Sequence, residues 1–368
     1  GGLSLAFAAP AVAQNRVSAN QKGSALIFSK VEIRWTADGR TLISDTFLDL
    51  SNDADSDGVD VQAYFINGDQ ELEEECIGDP CTEIVQTFEP GWNTADCRFH
   101  MTKNQPHYWS AAHGSNKCQA FSVLDMDGPG RLDPDDGNRT RILRGYVVMW
   151  AVKFNTSAGE NGQWEEIRWN HLKGDALILN YVEGTAWEYN AWAFQARGCS
   201  TNGCFLDGPG ELNFNGSEYD YAFGQLLLDF YASGSTALSG GGVTVNLDTE
   251  LTLHSVTADL RQDNDGPPLT KADINVCNEF ESCFSGLKRC ICCWDSKNLS
   301  AYSANSGIPN YFLRSKLGTD KGAARIEGNS SDNCNCYDNC GTDRCDHDSH
   351  ALLGVAVKRL TFSNNDVA

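Results

Sequence analysis

Apolar and polar positions alternate most clearly between Leu143 and Ala196. Tyr146, Val148, Trp150, Val152 and Phe154 continue the parity of Ile142. Ile167, Trp169 and His171 form a second alternating run, and Leu177, Leu179 and Tyr181 a third. A period of two puts alternate side chains on one face of a sheet, whereas a helix requires spacings of three and four. The runs therefore predict half-buried strands, packed on one side. Five of the nine tryptophans (Trp150, Trp164, Trp169, Trp187 and Trp192) lie here. Each buried aromatic removes ~150–250 Å² from water, so this stretch is the predicted centre of the core.

The pattern extends in both directions. In SALIFSKVEIRW, Ala25, Ile27, Val31, Ile33 and Trp35 share one parity. Ala37-Asp38-Gly39-Arg40 predicts a turn, TLISDTFLDL its partner strand and VDVQAYFING a third strand. Downstream, YDYAFGQLLLDFYASGS predicts a buried strand. Val243, Val245, Leu247, Leu251 and Leu253 then hold one parity, and Val256, Ala258 and Leu260 the other. That switch predicts a bulge or a change of sheet near His254. Some ten short strands make the expected fold class all-β, a β-sandwich of Ig-like or jelly-roll-like form.

Composition changes at Asp265-Gly266-Pro267-Pro268. Thr270 is a candidate cap, and Cys277, Phe280, Phe284 and Leu287 recur at helical spacing, which predicts a helix. Nine cysteines fall between Cys277 and Cys345, and ALLGVAVKRLTF predicts a last strand. The expected organisation is an N-terminal arm or signal-peptide tail (1–20), a sandwich (21–265), a Cys-rich, disulfide-stapled, partly helical insertion (266–350) and a closing strand (351–368).

Two readings compete for the N-terminus. Ala11-Val12-Ala13 before Gln14 fits a signal-peptidase site, which makes the segment a signal tail. Alternatively Leu3, Leu5, Phe7 and Ala9, alternating with smaller residues, form an apolar strand. The apolar run is too short for a transmembrane span. Both readings place the protein outside the cytoplasm, secreted or at the cell surface. The 15 cysteines agree with an oxidising compartment, and their odd number leaves one thiol over. Cys76–Cys81, Cys97–Cys118 and Cys199–Cys204 are candidate local disulfides, each worth ~2–4 kcal/mol. A net charge of −22 excludes nucleic acid as a partner, since there is no basic patch to replace phosphate counterions.

Site chemistry is sparse. Asp53, Asp55, Asp57 and Gly58 fit the start of a calcium loop, but position twelve is Tyr64 rather than a closing Glu. An acidic turn is the competing reading. Cys334, Cys336, Cys340, Cys345, His347 and His350 are candidate ligands for a thiolate-bound metal. None of these six forms a C-x-x-C pair, and a disulfide knot accounts for the same residues. His100, His107 and His113 match no metal-site spacing. No cofactor is required by any motif. Hydrolase, metalloprotease, P-loop and dinucleotide signatures do not occur, so an enzyme is not expected. Glu165 and Glu166 beside Trp169, with Glu183 and Glu188, are candidate glycosidase carboxylates, although solvent-facing strand residues give the same string. Surface aromatics make glycan a candidate partner.

The strings KGSALIFSKVEIRW, DTFLDLSND, VQAYFINGD, EEIRWNHLKGDA and AWEYNAWAFQA resemble a group of uncharacterised secreted bacterial proteins. The resemblance spans roughly residues 20–262 and implies a bacterial, exported, β-rich protein. It carries no activity and no site residues. The expected function is therefore structural: a subunit of an extracellular filament or layer, with self as partner, assembled when the apolar arm adds a strand to a neighbour. A secreted glycan- or metal-binding module is the alternative, followed by a secreted hydrolase.

Overall fold

The computed structural model describes residues 16–68, 70–77, 83–90, 94–124, 130–159, 161–206, 212–237, 243–256, 269–302, 308–329 and 351–364. The fold is an all-β sandwich built from several antiparallel sheets and cross-linked by disulfides. Its first half holds β1 (Ala25–Thr36), β2 (Leu42–Asn52), β3 (Val59–Asn67), β4 (Gln70–Ile77), β5 (Glu83–Pro90), β6 (Thr94–Met101), β7 (Gln105–Ser110), β8 (Arg131–Leu132), β9 (Thr140–Asn155), β10 (Gln163–Glu166), β11 (Leu172–Asn180), β12 (Thr185–Asn190) and β13 (Trp192–Phe194). Apart from the β4–β5 hairpin, these strands form one sheet in the order β12-β11-β2-β1-β9-β3-β6, with β7, β8, β10 and β13 attached. One core, including Leu26, Phe28, Val147, Met149, Phe65 and Trp109, packs along its inner face.

The second half holds β14 (Gln225–Tyr231), β15 (Gly234–Ala237), β16 (Val243–Ser255), β17 (Leu269–Asn278), β18 (Cys283–Cys292), β19 (Trp294–Asn298), β20 (Lys321–Asn329) and β21 (Leu352–Asn364). One sheet runs β14-β20-β17-β18. A second centres on β16, paired with β15 and β19 and with β21. Phe230, Leu251, Leu253, Ile274, Leu287, Phe312 and Ile326 share a core between them. Strands from both sides of residue 265 pair here, so the change in composition at that point is not a boundary between sheets.

The remaining core joins the halves. Ile27, Tyr146, Val148, Trp150 and Phe194 meet Trp294, Leu353 and Val256. This changes three expectations. The central strand β9 is buried on both faces rather than one, because the second half covers its outer side. In β11 the buried set is Leu172, Gly174, Ala176 and Ile178, while Leu177 and Leu179 are half-exposed. Residues 269–292 form the β17–β18 hairpin instead of the predicted helix, and Cys277–Cys283 closes its turn. Helical segments of the Cys-rich region are confined, among the described residues, to Leu299–Ala301 and Arg314–Leu317.

Candidate functional site

Two features stand out beyond packing: a polar seam between the halves and a cleft at the edge of the second half. The seam begins with a bulge. Pairing of β1 with β9 advances from Phe28↔Val147 to Val31↔Gly145, so β1 carries one extra residue at Ser29-Lys30. A bulge re-aims a side chain and leaves backbone groups without ladder partners. Tyr189 satisfies them: its hydroxyl accepts from the Lys30 amide at 2.9 Å and donates to the Lys30 carbonyl. The Trp294 indole N–H donates to the Ser29 carbonyl at 2.9 Å. Its ring lies against Gly68, where a Cβ would come within 2.6 Å of it.

The bulge sends Lys30, 2 % exposed, into the second half. There its ammonium pairs with Glu250 and donates to Ser296 Oγ at 3.0 Å, with Glu32 at 3.2 Å. Glu32 also takes Arg34 at 2.6 Å, Arg34 reaches Asp133 at 2.5 Å, and Glu250 pairs with Arg359. Burial raises the Glu32 carboxyl, but Lys30 and Arg34 outweigh it and hold the group far below the usual carboxylate range. Burial likewise works against ionisation of Glu250, and Lys30 again outweighs it. Every charge in this chain has an opposite partner, the condition under which buried ions are tolerated. His254 lies beside it, fully buried, stacked on Tyr146 with ring centroids 4.7 Å apart. The seam is a joint that fixes how the halves meet.

The cleft lies between two strands that end their sheets. Among the described residues, β14 pairs with β20 alone and β21 with β16 alone. The Leu352 amide donates to the Phe223 carbonyl at 2.8 Å, and six residues further along each chain Lys358 donates to Asp229 at 2.6 Å. The constant offset means that β14 and β21 run side by side in the same direction. Between them opens an apolar cleft of about 440 Å³, floored by Leu251, Leu253 and Ile326. Trp192 and Phe223, edge-on at 5.4 Å, close its near end, where the indole N–H donates to the Gly354 carbonyl at 3.1 Å. Arg16 lines the same end. Leu227 is 83 % exposed on one wall, and Phe362 is 63 % exposed further along the other strand.

The residues singled out in the sequence are scattered. Cys97–Cys118 and Cys199–Cys204 form, and Cys290 and Cys292 are disulfide-bonded. Cys293 is a buried thiol 3.6 Å from the Tyr146 hydroxyl, so the neighbours Cys292 and Cys293 do not bridge each other. The Cys76–Cys81 pairing lies outside the described residues. So do the arm residues Leu3, Leu5, Phe7 and Ala9, and Cys334, Cys336, Cys340, Cys345, His347 and His350. Asp55 and Asp57 are exposed, while Asp53 is held by Lys22 and by His171 at 3.1 Å. Among the described residues, no three His, Cys, Asp or Glu side chains converge as metal ligands. Glu165, which accepts from Asn155 at 2.7 Å, and buried Glu166 sit on β10. Glu188 is on the edge strand β12, with β11 and β2 between, so these carboxylates form no shared cleft.

A carboxylate pair escaped the sequence reading. Asp49 on β2 stands opposite Asp175 on β11, on the face that carries the Phe47–Tyr108 stack (5.8 Å). Burial raises both carboxyls, and Asp49 and Glu188 raise Asp175 further. Only cross-strand register brings the two together, and no spacing along the chain announces it.

No family model matches the chain, and no curated protein is similar to it. Among solved structures it is similar to a chain of the Cowpea mosaic virus top component, naturally occurring empty particles. That match has 6 % identity, covers 98 % of this chain and 96 % of that chain, and has a TM-score of 0.19. A likeness of that size transfers neither fold nor function. Among the described residues, no helix is long and apolar enough to cross a membrane. The disulfides are compatible with an extracellular location.

Proposed function

We propose that the protein is a structural, non-enzymatic subunit of an extracellular filament or layer, joined to its neighbour by strand addition. The observation that carries this reading is the cleft between β14 and β21. Two edge strands running in the same direction flank an apolar floor, and either one offers its edge to a strand running the opposite way. Every pairing between named strands in the molecule is already antiparallel. An exposed edge is an adhesive surface unless something covers it. Main-chain pairing supplies affinity in such contacts, and alternate side chains in a groove supply specificity.

The apolar alternation Leu3, Leu5, Phe7, Ala9 suits that groove. Burying two leucines and a phenylalanine contributes roughly 5–9 kcal/mol before the cost of ordering the segment. Pro10 follows, a residue that lacks the amide needed to continue a ladder, so the added strand ends there. A head-to-tail contact of this kind yields filaments when its rotation does not close a ring. The test is N-terminal mass spectrometry of native secreted material beside negative-stain electron microscopy of the same sample. Filaments whose chains retain residues 1–13 are expected. Chains that begin at Gln14 and remain monomeric would overturn the reading.

A second reading, glycan binding, draws on the Phe47–Tyr108 stack beside Asp49 and Asp175 on one sheet face. An aromatic platform with flanking carboxylates can stack on a sugar and accept its hydroxyls. Affinity electrophoresis in soluble polysaccharide separates the two: retardation lost in Tyr108→Ala favours this face.

A further inference from the structure

One face of the first-half sheet lies open to solvent, and cross-strand register arranges it in rows. Tyr108, Asp49, Asp175 and Asn190 follow one another across β7, β2, β11 and β12. Tyr108, Asp49 and Asn190 are exposed and Asp175 is half-exposed. Three inter-strand spacings of ~4.8 Å make this row ~14 Å long, room for a chain of sugars rather than a single ring. The next row holds Phe47, Leu177 and Glu188. Phe47 lies parallel to Tyr108 within 13°. Exposed Tyr181 stands near them: partial burial, then Asp45 and Tyr108, raise its hydroxyl. On the other side of the first row, Lys173 stands opposite Ser51.

The chemistry of the face selects its ligand. At Asp49 and Asp175 both β2 and β11 have a strand on either side, so an extended peptide finds no main-chain ladder to join. A bare metal ion finds too few ligands, because no three carboxylates or imidazoles converge among the described residues. A sugar carries its own hydroxyls, and the C–H face of its ring packs on aromatic side chains. Asp49 and Asp175 stand directly opposite each other, and like charges so placed repel. Burial raises both carboxyls; Asp49 and Glu188 raise Asp175 further, and Lys173 only partly opposes them. A ligand ammonium relieves this repulsion, which a neutral sugar does not, and the ring faces attract it as well. We infer that the face binds a cationic glycan, a chain of amino sugars with free ammonium groups, its rings on Tyr108 and Phe47 and an ammonium between Asp49 and Asp175. The inference rests on the glycan reading of this face, names the sugar class, and is independent of strand addition at β14 and β21.

The experiment is isothermal titration calorimetry of the full chain at pH 6 and physiological ionic strength, where charges more than ~8 Å apart are largely screened. The probes are the glucosamine tetrasaccharide and its N-acetylated counterpart. The glucosamine chain should bind about tenfold more tightly. Tyr108→Ala and the pair Asp49→Asn/Asp175→Asn should each weaken it about tenfold. Glu279→Gln/Glu281→Gln, which removes the same charge from the exposed β17–β18 turn, should leave it unchanged. Equal affinity for the two sugars would overturn the cationic choice and leave the glycan reading standing. Equal losses in the two double variants would reduce the binding to general charge attraction and overturn the inference. Tetralysine binding as tightly as the glucosamine chain would overturn it in favour of a cationic peptide. No binding of either sugar would overturn both readings of the face.

Discussion

Acidification from pH 8 to pH 5 should destabilise the fold, because His254 stays neutral in its buried site but takes up a proton once the chain unfolds. The ring is fully buried between Tyr146 and the β1 bulge. Its Nδ1 lies 3.1 Å from the Ser255 carbonyl, which can only accept, so Nδ1 carries the proton. Nε2 then accepts from Ser29 Oγ at 3.0 Å. Burial pushes the imidazole down to about 4, and the Ser255 carbonyl only partly opposes it. In the unfolded chain the ring titrates near 6.5. Between these values the unfolded state binds more protons than the folded one, so stability is fully present above about pH 6.5 and falls as pH drops towards 4. The two titrations together give a loss of about 2 kcal/mol at pH 5 and a limit of about 3 kcal/mol below pH 4. The assay is urea unfolding followed by tryptophan fluorescence at pH 8, 6 and 5, for the wild type and for His254→Gln. Glutamine keeps a neutral donor and acceptor. All other titrating groups are common to both proteins and cancel in the comparison. The wild type should lose about 2 kcal/mol more than the variant over this range. Parallel pH dependences would refute the reasoning.

Two further outcomes follow from the seam and the disulfides. Glu250→Gln should cost about 2 kcal/mol, because Lys30 is left with Glu32 alone, but less than about 1 kcal/mol in a Lys30→Met background; a double-mutant cycle by urea unfolding measures the difference, and equal costs would remove Lys30 from the joint. Cys97→Ser/Cys118→Ser should destabilise by about 3 kcal/mol and Cys199→Ser/Cys204→Ser by about 2 kcal/mol, because the first bridge closes the longer loop; unfolding midpoints under non-reducing conditions give the ranking, and the reverse order would contradict the loop-entropy account.

How much was legible depends on the range of the forces involved. The period of two in Leu143–Phe154, the turn at Ala37–Arg40 and the strands on either side of it follow from sterics between near neighbours, and they form as expected. The local disulfides Cys97–Cys118 and Cys199–Cys204 are of the same kind. Residues 270–287 illustrate the limit. Their apolar positions fit a helix, but strand partners on β20 and the Cys277–Cys283 bridge outweigh that weak local signal. The proposed cleft was not legible either. Its walls lie 129 residues apart in sequence, and each reads as an ordinary strand.

By itself, the sequence determined that the chain is β-structured, disulfide-linked and acidic, because period, cysteine content and charge belong to the chain before it folds. Which face of each strand is covered was decided only by tertiary structure. Ala25, Ile27, Val31, Ile33 and Trp35 share one parity, yet the bulge at Ser29-Lys30 sends the first two into the joint core and the last three into the core of the first half. One extra residue in a ladder exchanges the faces of everything beyond it, and its position depends on the partner strand β9, more than a hundred residues away.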